Sequence, residues 1–88
     1  MGNVMKEKSY REPKLEEQET TINVIYDENL FSIYTNKVGL QKELNKYLGE
    51  PSREDKRKNK IIGSMWDIPL TDKTRISRMI IKANIFEL

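Results

Sequence analysis

The chain has 88 residues and contains neither cysteine nor histidine. Those two absences exclude a disulfide framework, a Cys/His zinc site, a c-type haem and a Cys-X-X-Cys redox pair. They also exclude Ser-His-Asp and Cys-His catalysis within one chain. Glycine is scarce, at four residues, and none forms a phosphate-binding loop. No apolar run approaches the roughly 20 residues that a membrane span needs. The opening MGNVMKEKSYREPKLEEQE lacks the apolar stretch of a signal peptide. Lys6 stands where a myristoylation signal prefers Ser or Thr. The expectation is a cytoplasmic, non-enzymatic protein with no membrane, metal or cofactor.

What is present is charge. Charged residues make up 34% of the chain and hydrophobic ones 36%, yet the formal net charge is only +2. A chain this short holds one domain. Its low apolar fraction leaves room for a disordered part. Residues 1–19 are assigned to that part. Val4, Met5, Tyr10 and Leu15 are their only sizeable apolar side chains and follow no period, and Pro13 interrupts a helix. The domain is then residues 20–88.

Thr20 to Tyr26 is rich in β-branched residues and Phe31 to Thr35 returns, so 20–36 reads as a hairpin. A two-residue loop at Glu28-Asn29 sets Tyr26 opposite Phe31, Val24 opposite Ile33 and Ile22 opposite Thr35, all on a buried face. The other face carries Asn23, Ile25, Ser32 and Tyr34. Leu40, Leu44, Tyr47 and Leu48 form one helical stripe, with Gln41, Lys42, Glu43, Asn45 and Lys46 outside; Gly49 and Pro51 end the helix. Residues 50–60 contain nothing apolar enough for a core and read as a surface loop. Residues 61–70 read as a third strand with Ile62, Ser64, Trp66, Ile68 and Leu70 on one face. Pro69 marks its end or an edge. Thr71 is the expected N-cap of a last helix, with Ile76, Met79, Ile80, Ala83 and Phe86 inward. The order ββαβα predicts an α+β fold, a small antiparallel or mixed sheet with two helices on one face.

Two groups of residues offer function. Arg53, Lys56, Arg57, Lys58 and Lys60 form a basic cluster, and Arg75, Arg78 and Lys82 form a stripe on the last helix. Mobile cations on one surface suit phosphate, so nucleic acid is one expected partner. Glu54-Asp55-Lys56 matches part of a nuclease site superficially. That chemistry needs a further carboxylate from a neighbouring strand, and a charge run is more often a solvated loop. Asp67 and Asp72 are likewise too isolated to indicate a metal. The second group is Tyr34 with Asn23 and Ile25 on the outer hairpin face, a surface for a protein partner.

The pattern Glu19-Thr-Thr-Ile-Asn23, Ile33-Tyr-Thr35 and Trp66-Asp-Ile-Pro69 resembles a group of small uncharacterised proteins of phages and integrative elements of low-GC Gram-positive bacteria. The resemblance covers residues 19–88. It implies an accessory role for a mobile element: binding nucleic acid, or blocking a host defence, as anti-CRISPR proteins do, by occupying a host protein's surface.

Overall fold

The computed structural model describes residues 8–83 and residue 85. The first hairpin pairs β1 (Thr20–Ile25) with β2 (Leu30–Thr35). It is followed by the helix α1 (Val38–Leu48), a second hairpin of β3 (Arg53–Arg57) and β4 (Lys60–Pro69), and the helix α2 (Lys73–Lys82). The strands form one antiparallel sheet in the order β1-β2-β4-β3. Both helices lie on one face of it. Phe31, Ile33, Trp66 and Ile68 from the sheet, Leu40, Leu44 and Leu48 from α1, and Met79, Ala83 and Ile85 from the α2 end make a single core. The expected α+β architecture is therefore present, with one strand more than the sequence reading counted.

That strand is Arg-Glu-Asp-Lys-Arg, from the segment read as a loop. An edge strand needs no apolar face when its neighbour supplies the backbone partners, and β4 does so. The turn between them is Lys58-Asn59, with φ of 52° and 68°. Two left-handed residues between paired Arg57 and Lys60 make the type I′ geometry that matches strand twist. Asp55 faces Gly63 but Lys56 faces Ile61, so β4 carries one extra residue, Ile62. The bulge reverses the alternation. Ser64, Trp66 and Ile68 face the core as expected, but beyond the bulge Ile61 is buried and Ile62 is half-exposed.

The first hairpin keeps the expected face but not the expected register. Val24 lies opposite Phe31, Ile22 opposite Ile33 and Thr20 opposite Thr35. The loop is longer, a 3-10 turn over Tyr26–Glu28 closed by left-handed Asn29 at φ 53°. A shift of two residues preserves the alternation but moves Tyr26 out of the strand, where it is 82% exposed. Val24 is 42% exposed rather than buried. In α1, Gln41 belongs inside. It sits within the Leu40–Leu44–Leu48 stripe, is fully buried, and its Oε1 accepts from the Ser64 hydroxyl at 2.6 Å. In α2 the cap is Asp72, whose carboxylate accepts from the Arg75 amide, not Thr71. Ile80 is 37% exposed, and Phe86 lies outside the described residues.

The segment assigned to a tail differs most. Residues 1–7 lie outside the described residues, but from Lys8 on the chain is bonded to the domain. Beyond the end of β2, the Ile61 amide donates to Ser9 O and the Arg11 amide to Ile61 O, which sets Tyr10 beside β4 in parallel. Tyr10 Oη accepts from Asn45 of α1. Lys8 Nζ donates to Asn45, Glu50 and Glu54. Glu12 Oε1 accepts from the Val38 amide at 2.8 Å, a carboxylate at a helix start whose own cap residue, Lys37, offers no side-chain bond there. Low apolar content did not leave residues 8–19 loose, because polar contacts and backbone pairing, not apolar burial, hold this segment.

Candidate nucleic-acid interface

The β3–β4 hairpin projects past the end of β2, since β2 pairs with β4 only from Ser64 to Pro69. Its tip carries Lys56, Arg57, Lys58 and Lys60, all exposed. Lys60 Nζ donates to Ser9 Oγ at 2.9 Å. Lys56, Arg57 and Lys58 make no ion pair among the described residues. The acidic groups nearby are already engaged. Glu54 holds Lys8 at 2.6 Å, and Asp55 holds Arg53 at 3.2 Å. Lys8 offsets Glu54 from outside the cluster, whereas Asp55 takes up Arg53, one of the cluster's own cations.

Below the tip, on the face away from the helices, lies an open hollow of about 300 Å³. Arg57, Ile62 and Tyr34 form its floor and side, and Arg11, Lys14 and Glu17 overhang it from the N-terminal segment. Tyr34 lies across Gly63. A β-carbon there would collide with Tyr34 Oη, so glycine is what lets the ring lie on β4. Burial pushes the Tyr34 hydroxyl above its ordinary value of 10.0, helped by Asp55 and Glu19 and opposed by Arg53. Tyr34 is thus half-buried rather than an exposed anchor. Its outer-face companions are Asn23, which is exposed, and Ile25, which is half-buried.

The basic stripe of α2 does not join this cluster. Arg75 is taken up in structure: Nε meets Asp72 at 2.8 Å, and Nη1 donates to Leu48 O at 3.0 Å, covering a carbonyl at the end of α1. Trp66 Nε1 covers the next one, Gly49 O. Arg78 and Lys82 are exposed on α2, a different element from the hairpin, and form no ion pair among the described residues. In their place the fold supplies Arg11 and Lys14, which the sequence reading left in the tail. The signal that could have found them is local. Pro13 favours extended backbone at Glu12, and extended Ser9-Tyr10-Arg11 can lie along a strand.

Among the described residues no group of acidic side chains could hold a metal ion, and no helix is long and apolar enough to cross a membrane. The chain matches no protein-family model, no curated protein and no solved structure.

Proposed function

We propose that this chain is a small non-catalytic binding protein that takes the phosphate backbone of a nucleic acid on the β3–β4 hairpin. One observation carries the reading: Lys56, Arg57 and Lys58 are all exposed at the tip of one hairpin, and the neighbouring carboxylates Glu54 and Asp55 are already paired. A two-stranded ribbon fits the major groove of B-form DNA, and Arg11 and Lys14 extend the positive surface beside it. The tip carries lysines, one arginine and Asn59, on a turn and not on a recognition helix aligned with base edges. Binding is therefore directed to phosphates and tolerant of sequence.

The test is fluorescence anisotropy with duplexes of unrelated sequence over a salt series. Neutralising three or four phosphates gives a slope of log affinity against log salt near about −3. Replacing Lys56, Arg57 and Lys58 together by Ala weakens binding to every duplex alike and flattens the slope. An unchanged slope and affinity at low salt would refute the reading.

A second reading has its own observation. No described helix covers the outer sheet face, where Asn23, Ile25 and Tyr34 lie. In the setting that the resemblance implies, an accessory protein of a mobile element, that face would cap a host protein, perturbed by Asn23→Lys and insensitive to the triple alanine change.

A further inference from the structure

The opposite edge of the sheet is unprotected. β1 reads Thr-Thr-Ile-Asn-Val-Ile: no lysine, no proline, no charge of either sign, and no bulge in its pairing with β2. Those are the devices by which edge strands avoid joining other chains. Among the described residues nothing pairs with its outer side. The ladder shows which groups are open. Across the β1–β2 pair the Asn36 amide donates to Glu19 O, and the Glu19–Asn36 pair continues the strand register. Antiparallel bonds alternate, so Thr21, Asn23 and Ile25 turn their backbone groups to β2. Thr20, Ile22 and Val24 turn theirs outward, three donors and three acceptors without a partner in the sheet.

We infer that β1 is a self-association edge, pairing antiparallel with β1 of a second copy about a two-fold axis at Ile22. That register sets Ile22 against Ile22 of the other copy and Thr20 against Val24. Every outward backbone group then finds a partner, and residues that face each other share a side of the sheet. Thr21 meets Asn23 on the outer face. No charge faces a like charge within the strand, which is what a self-complementary two-fold contact requires. A foreign strand would leave its selection unexplained, because β1 presents no charged group to choose it.

Apolar surface flanks this edge. Val24 is half-exposed on the helix side, and Tyr26 follows the strand. Two copies joined at β1 would make an eight-stranded sheet, with the basic hairpins at its two far edges. The contact is independent of phosphate binding.

The experiment measures mass by sedimentation in about 1 M salt, where phosphate contacts are screened and bridging by nucleic acid is suppressed. The expected mass is near twice the chain's 10.4 kDa. Val24→Pro removes an outward amide and places a ring in the pairing path, and should return the single-chain mass with an unchanged circular dichroism spectrum. Should that variant lose its fold, Val24→Lys serves, because lysine on an edge opposes strand addition without removing an amide. The chain has no cysteine, so a single Ile22→Cys reports the axis directly. Paired residues there lie about 5.5 Å apart at Cα, within disulfide reach. Oxidation should link two Ile22→Cys chains faster than two Lys56→Cys chains. A single-chain mass up to about 1 mM would overturn the inference, as would equal linking rates at the two positions.

Discussion

β1 and β3 are both edge strands, of six and five residues, and they meet water with opposite compositions. Every residue of β3 is charged, and none of β1 is. The strands occupy equivalent places because the sheet asks the same thing of each, a backbone to pair on one side. Their side chains are free to differ. At β3, charge opposes a further strand, and the proposed function gives its Lys56 and Arg57 to phosphate. At β1, the lack of charge permits a further strand. An edge strand's residues therefore report less about whether it folds than about what it meets.

The largest expected effect falls on the β3 side alone. Deleting residues 1–12 removes the bonds of Ser9 and Arg11 to Ile61, the Lys8–Glu54 pair, the Tyr10–Asn45 bond and the Glu12 carboxylate at the start of α1. At roughly 1 kcal/mol per hydrogen bond, less the chain entropy regained, the loss is about 2 kcal/mol. Denaturant titration reads it. Hydrogen exchange should quicken at Ile61 and along β3, while the β1–β2 ladder holds its protection. An unchanged midpoint would mean that the segment merely rests on the domain.

A smaller effect has the opposite sign. Lys58 holds a left-handed conformation that costs a side-chain-bearing residue about 1 kcal/mol and glycine almost nothing. Lys58→Gly should therefore stabilise the protein by about 1 kcal/mol in thermal unfolding. It should also reduce the salt slope of nucleic-acid binding by about one. Greater stability with weaker binding would separate the two demands placed on the turn. A destabilised variant would show that the lysine stem packs.

The smallest effect concerns pH. For Lys8, burial lowers the pKa, but the hydrogen bonds it donates to Glu50 and Glu54, with their negative charges, outweigh it and leave it above 10.5. Burial raises the Tyr10 and Tyr34 hydroxyls above 10.0. All three groups hold their protons more tightly when folded. Their contribution is complete below pH 10 and fades as pH rises through the folded values. Lys8 and Tyr10 tie the N-terminal segment down, so exchange at Ile61 should rise before exchange in β1 does. Equal loosening of both edges would deny the segment its role.

Much of this was legible in the residues. The β-branched run from Thr20, the leucine stripe of α1 and the Pro69 stop each carry a local physical cause. Pro69 even fits the ladder. It faces Leu30 one step from the bond between the Leu70 amide and Asn29 O, at a place where no amide hydrogen toward β2 is needed. Gln41 was misplaced on the outer face of α1 because of its polarity, although its position lies within the stripe; Ser64 satisfies its Oε1, while its buried Nε2 has no partner among the described residues. The basic cluster was visible as composition. Its division was not, because Arg75 is used by a carbonyl 27 residues earlier in the chain.

By itself the sequence determined what depends on near neighbours: helix and strand periods, the absence of thiol and imidazole chemistry, and a β1 without charge. Tertiary structure decided what depends on distant partners. Arg53–Arg57 is a strand only because β4 offers it a ladder, and the bulge at Ile62 decides which isoleucine is buried. Residues 8–12 are part of the domain only because Ile61, Asn45, Glu54 and Val38 come together to receive them. The physical reason is the same in each case. Hydrogen bonds and ion pairs between segments carry no period along the chain, so they become visible only when the fold brings both partners within reach.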